Sequence, residues 1–175
     1  EVEPQIQQEE TLFVNYTCTQ NEQLDFYPIF RCPKKNTVVR SYRIGSTKRR
    51  GFKEEVFQKA IQEVFGKYFF ISGALRINTG KDTRPFEPDI AMVDNKNKSL
   101  RIDIEIDEPY AGITRQPTHS KGEDTMRDIY FVDRGWIVIR FSEYQVHTFE
   151  LECLRFISDI ISSISPTFKT PAQLI

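Results

Sequence analysis

The sequence predicts an α/β domain, with a mixed central sheet and helices on its faces. The first sign is a change of period. From Gly51 onward, apolar residues pass between helical spacing and strand alternation in the order helix, strand, strand, strand, helix, strand, helix. The second is composition: at 39% hydrophobic and 28% charged, a chain of 175 residues can build one packed core.

Residues 1–10 are a Gln/Glu-rich lead-in. Thr11–Thr19 and Asp25–Arg31 carry aromatic and β-branched residues and read as strands separated by Thr19-Gln-Asn-Glu; Thr37–Ile44 is a third, ending at Gly45. A helix follows, because Phe52, Val56, Phe57, Ala60, Ile61, Val64, Phe65 and Tyr68 form one apolar stripe. Phe69–Ile77 reads as a strand and residues 78–85 as a loop. Asp89–Val93 and Leu100–Asp107 are the strands of a hairpin that turns at Asp94-Asn-Lys-Asn-Lys. After a loop to Ser120, Gly122–Arg134 is helical, with Gly135 as its C-cap. Trp136–Phe141 is an apolar strand and Phe149–Ile164 an amphipathic helix before Pro166. The expected organisation is a β-rich extension over 1–50, whose strands either extend the sheet or form a small cap, a core over 51–165 and a tail over 166–175.

The net charge of −1 argues against a surface that grips nucleic acid everywhere, but the charges are segregated. Residues 1–30 hold six acids and no Lys or Arg; residues 31–53 hold nine bases and no acid. Within that basic run, Arg43, Lys48, Arg49, Arg50 and Lys53 are candidate phosphate contacts, with a solvated basic loop as the bland alternative. No run of eighteen apolar residues exists, so no membrane span is expected. The N-terminus has no secretory signal pattern and no Met, as expected of a processed product or a piece of a longer protein. Three scattered cysteines without a Cys-x-x-Cys pair, and only two His, argue against zinc and for a reducing, cytoplasmic location.

The hairpin carries the chemistry. Along Leu100–Asp107, Leu100, Ile102, Ile104 and Ile106 take one face, and Arg101, Asp103, Glu105 and Asp107 the other. Acids at alternate positions stand about 6.5–7 Å apart, so their repulsion calls for a positive partner. Mg²⁺ suits them: it prefers oxygen and uses one or two carboxylates with water and phosphate. Asp89, on the paired strand, can approach Glu105 across the ladder. The plainer reading is an exposed acidic face on an edge strand.

Pro88-Asp89, then Glu105-Ile-Asp107 on the second strand of a hairpin after a helix, resembles the core of the PD-(D/E)XK nuclease superfamily. Asp124-Thr-Met-Arg127 and Gly135-Trp-Ile-Val-Ile-Arg-Phe141 are similar to its very-short-patch-repair-endonuclease-like branch, and the likeness covers about residues 51–145. It implies a restriction-endonuclease-like fold with a central four-stranded mixed sheet, hydrolysing DNA phosphodiesters with Mg²⁺, or Mn²⁺ in its place. Asp89 and Glu105 would ligate the metal, helped by the Ile106 carbonyl. The family often adds a Glu from the first helix. Glu54 borders the apolar stripe while Glu55 falls opposite it, so Glu54 is the choice.

Asp107 departs from the pattern, standing where the family signature has the Lys that stabilises the attacking hydroxide or the phosphorane. It remains a candidate catalytic residue through a second metal or a water. Lys121 or Arg127 are candidate replacement cations and His119 a candidate base or relay. Arg140 is a candidate structural partner for Asp124 or another acid. Gly45-Ser-Thr-Lys48 lacks P-loop spacing, and no nucleophile elbow is present. The expected function is therefore a Mg²⁺-dependent DNA endonuclease. The alternative is an inactive nuclease-like module that binds DNA or other proteins in a larger assembly. A carboxylate-metal hydrolase of small phosphates also fits the acids, but not the basic segment.

Overall fold

Strict alternation over Arg101–Asp107 produces β8, the middle strand of a five-stranded sheet. The computed structural model describes residues 11–20, 26–45, 52–78, 86–108 and 121–175, excluding the side chains of 52, 53 and 121–124. On one side β8 pairs antiparallel with β7 (Ile90–Asp94), which pairs antiparallel with β5 (Phe69–Ser72). On the other it pairs in parallel with β9 (Ile137–Ser142). That parallel step needs a crossover, which includes α2 (Lys121–Val132).

The sheet has five strands where four are expected from the resemblance. β2 (Ile29–Arg31), from the N-terminal extension, pairs antiparallel with β9 and closes that edge. The extension and the tail share the core cluster: Val14, Tyr16, Phe30 and Val39 are buried with Ile104 and Ile139, and so is Leu174. Other strands are shorter than expected. Only Leu12–Phe13 of the first segment forms β1, paired with β3 (Val38–Val39). The stretch 69–77 breaks after Ser72, whose Oγ accepts the Ala74 N–H, and β6 (Leu75–Ile77) leaves to pair with β4 (Tyr42–Ile44).

The two faces differ in chemistry. α1 (Phe52–Phe65) and α4 (Glu150–Ile164) cover the apolar one, placing Phe57, Ile61, Phe65, Ile157 and Ile161 against Leu100, Ile102 and Ile104. On the α2 face a smaller cluster holds Ala91, Val93, Phe131, Trp136 and Val138. The rest of that face is ionic. Between β9 and α4 lies α3 (Glu143–Thr148), started by a capping box in which Ser142 accepts the Gln145 N–H at 3.1 Å.

Gly135 ends the α2 turn at φ +89, as expected of a C-cap, and an added Cβ would stand 2.7 Å from Val39 Cγ2. Gly135→Ala combines a left-handed residue with that clash and should destabilise by about 1–3 kcal/mol. Urea denaturation would measure it; a loss of under about 0.5 kcal/mol would show that Val39 moves aside freely.

Cys18 and Cys32, separated by 14 residues, form a disulfide. This removes the ground on which a reducing compartment is expected. Cys153 is free and buried, and burial, with Glu152 and Glu150 beside it, pushes its thiol up to about 12. Among the described residues no helix is long and apolar enough to cross a membrane.

Candidate functional site

The odd-numbered residues of β7 and β8 face α2, which brings Asp89, Asp103, Glu105 and Asp107 to one side of the sheet. Ile90 pairs with Ile104, so Asp89 and Glu105 occupy the next rung, where the hairpin ends. The Asp89 carboxylate accepts the Ile106 N–H at 3.0 Å, tying the two strand ends together. Asp89, Glu105 and Asp107 are 6%, 1% and 6% exposed, so this is no solvated edge. α2 and the two flanking strands bury it.

Guanidinium groups accompany the acids. Arg127 Nε donates to Glu105 Oε1 at 2.9 Å, and its Nη2 stands 4.0 Å from Asp89 Oδ1. Arg127 also donates to the Glu87 carbonyl, and Glu87 itself pairs with Arg76 at 3.3 Å. Arg140, opposite Glu105 in the β8–β9 ladder, donates to both Asp107 and Asp128. Asp128 is held from its other side by Arg31 Nε at 2.9 Å, and Asp107 by the Tyr27 hydroxyl at 2.8 Å. Burial disfavours the charge on Arg127 and Arg140, but the neighbouring carboxylates outweigh it and hold both above their ordinary range.

Asp103 is fully buried, and neither of its oxygens has a hydrogen-bond donor among the described residues. Burial first, then the Glu105 charge beside it, raises its carboxyl well above the ordinary range, against the pull of Arg127 and Arg140. Among the described residues the groups joined by ion pairs are four carboxylates (Asp89, Glu105, Asp107, Asp128) and three guanidiniums (Arg31, Arg127, Arg140), and the buried Arg101 lies on the same face.

The expected site residues are thus partly assembled. Asp89, Glu105 and Arg127 meet. Asp107 lies on the same face but is bound by Arg140 and Tyr27, a structural engagement rather than an open ligand position. Glu54 starts α1, whose buried residues pack on the opposite face; it is half-buried while Glu55 is exposed, as the stripe predicts. Among the described residues no three His, Cys, Asp or Glu side chains converge to hold a metal, so Glu54 does not complete a triad with Asp89 and Glu105. His119 lies outside the described residues, as do Lys48, Arg49 and Arg50; the side chains of Lys53 and Lys121 are likewise undescribed. Arg43 is exposed on β4.

Sequence reasoning missed Asp128, Arg31 and Tyr27. Asp128 had a visible signal: it precedes Phe131 by three on α2, which puts a carboxylate on the buried stripe. Arg31 was counted with the basic segment, and only the β2–β9 pairing brings it to Asp128. Arg140, expected to pair with Asp124 or another acid, pairs with Asp128 and Asp107; the side chain of Asp124 lies outside the described residues. No family model, curated protein or solved structure matches this chain.

Proposed function

We propose that the protein is a Mg²⁺- or Mn²⁺-dependent hydrolase of DNA phosphodiesters. The observation that carries this reading is Asp89 beside Glu105 at the hairpin end, both buried on one face of the sheet. Their hard oxygen donors fit such a cation, and two carboxylates are as many as Mg²⁺ usually takes from a protein. When bound, the ion supplies an activated water and polarises the scissile phosphate. The chain's own residues do the rest. Ile106 N–H orients Asp89, and Arg127 holds Glu105 and lies ready to bind a phosphate oxygen. Arg140 fixes Asp107, so residue 107 acts through the scaffold. The exposed Lys34, Lys35, Arg40 and Arg43 supply backbone contacts to DNA.

Purified protein should cleave plasmid or oligonucleotide DNA with Mg²⁺ or Mn²⁺ and stop on adding a chelator. Asp89→Asn and Glu105→Gln should reduce cleavage to background while remaining folded by circular dichroism. Cleavage that persists in both variants rejects the site.

A second reading rests on the arginines. Glu105 and Asp107 each already have a guanidinium partner, and no Lys stands at 107, as befits a nuclease-like module that binds without cutting. Thermal unfolding separates the two. A cation at a hundredfold excess over its Kd adds about 2.7 kcal/mol of stability, and this gain should vanish in Asp89→Asn. No shift with either metal, with or without DNA, leaves the binding module.

A further inference from the structure

At the other end of β7 from Asp89, about 17 Å along the strand, a cavity of about 270 Å³ opens between the β7–β8 turn, the start of β5 and the segment after α4. Its floor is aromatic. Phe168 makes edge contacts with Tyr68 and Phe69, with ring centroids 5.5 and 6.5 Å away. Its rim is cationic: Lys67, Lys96 and Lys169 are all exposed. None of the three is ion-paired with a carboxylate among the described residues, and Lys67 Nζ stands 5.9 Å over the Tyr68 ring. The one acid lining the cavity, Asp94, spends Oδ1 on the Lys96 and Asn97 N–H groups that form the turn.

We propose that this cavity binds a small aromatic anion of mononucleotide size. Apolar lining with a few convergent polar groups is what ligand sites offer, and roughly 300 Å³ is the small end of their range, enough for one ring system and its charged group. A flat ring lies against Tyr68 and Phe168, and its phosphate or carboxylate is met by the lysine ammoniums. An anion without a ring leaves the aromatic floor wet, and a ring without an anion leaves the positive rim unpartnered. Both halves are needed.

Calorimetric titration of the intact chain with AMP, adenosine and inorganic phosphate tests this. AMP should bind at least tenfold more tightly than either fragment. The exposed substitutions Lys96→Glu with Lys169→Glu should weaken AMP at least tenfold without changing the melting temperature. AMP should also bind no more weakly than a single-stranded oligonucleotide, because the cavity has room for one unit. Absence of AMP binding, adenosine binding as well as AMP, or indifference to the lysine substitutions overturns the proposal. An oligonucleotide bound more than tenfold more tightly through the same lysines overturns the assignment to a free ligand.

Discussion

Arg140→Met should destabilise the protein by about 3–5 kcal/mol, the usual cost of breaking a buried ion pair from one side. Arg140 is 2% exposed and bridges Asp107 to Asp128, with Glu105 opposite it in the ladder. Methionine matches much of its length and removes the charge, so the carboxylates are left in a dry interior facing one another. For a chain of this size the melting temperature should fall by roughly 2–4 °C per kcal/mol. A partial rescue identifies the cause. Adding Asp128→Asn should be much less harmful in the Arg140→Met background than alone, because it removes one of the stranded charges. Strictly additive losses would mean that Arg140 stabilises by packing its alkyl stem. The same variant bears on function, since Arg140 keeps Asp107 in place behind the Asp89–Glu105 pair.

Sequence patterns were informative wherever the contacts are local. The alternation of β8 and part of the α1 stripe each report one element's own face: Phe57, Ile61 and Phe65 are buried, while Val56 and Tyr68, read into the same stripe, are exposed. Gly135 at positive φ is likewise a local requirement. α3 was not read from the sequence: Ser142-Glu-Tyr-Gln145 is a capping-box sequence, but its single turn and a half has no room for an apolar period. Long-range pairing is different. Nothing in Ile29–Arg31 announces that it will lie beside Ile137–Ser142, so the fifth strand and the Arg31–Asp128 bridge were hidden together. The acids on β8 were visible, and a positive partner was correctly demanded. Its nature was not: arginines from α2 and β9, themselves distant in sequence, answer that demand among the described residues. Whether a cation displaces Arg127 from Glu105 is a matter of competition between charges, which no strand pattern encodes.

Asp103→Asn should stabilise the protein at neutral pH, the reverse of most buried polar substitutions. In the unfolded chain Asp103 ionises near its ordinary value of 3.8; in the fold, burial and then the Glu105 charge raise its carboxyl well above that. Above pH 3.8 the folded state therefore binds more protons than the unfolded state, and stability falls as pH rises towards the raised pKa. This loss is absent below pH 3.8. Asparagine is neutral at every pH, nearly the same shape, and still has an N–H for Glu105. The variant's advantage should thus grow from pH 4 to pH 7 in urea denaturation, and parallel pH profiles for the two proteins would sink the idea. Glu105→Gln should cancel only the part of that advantage that comes from the Glu105 charge, because burial, the larger cause, remains. In the metal-dependent reading Glu105 is a ligand and Asp103 is not. Asp103→Asn should accordingly retain DNA cleavage while Glu105→Gln abolishes it, a contrast that separates the ligand from its neighbour on the strand.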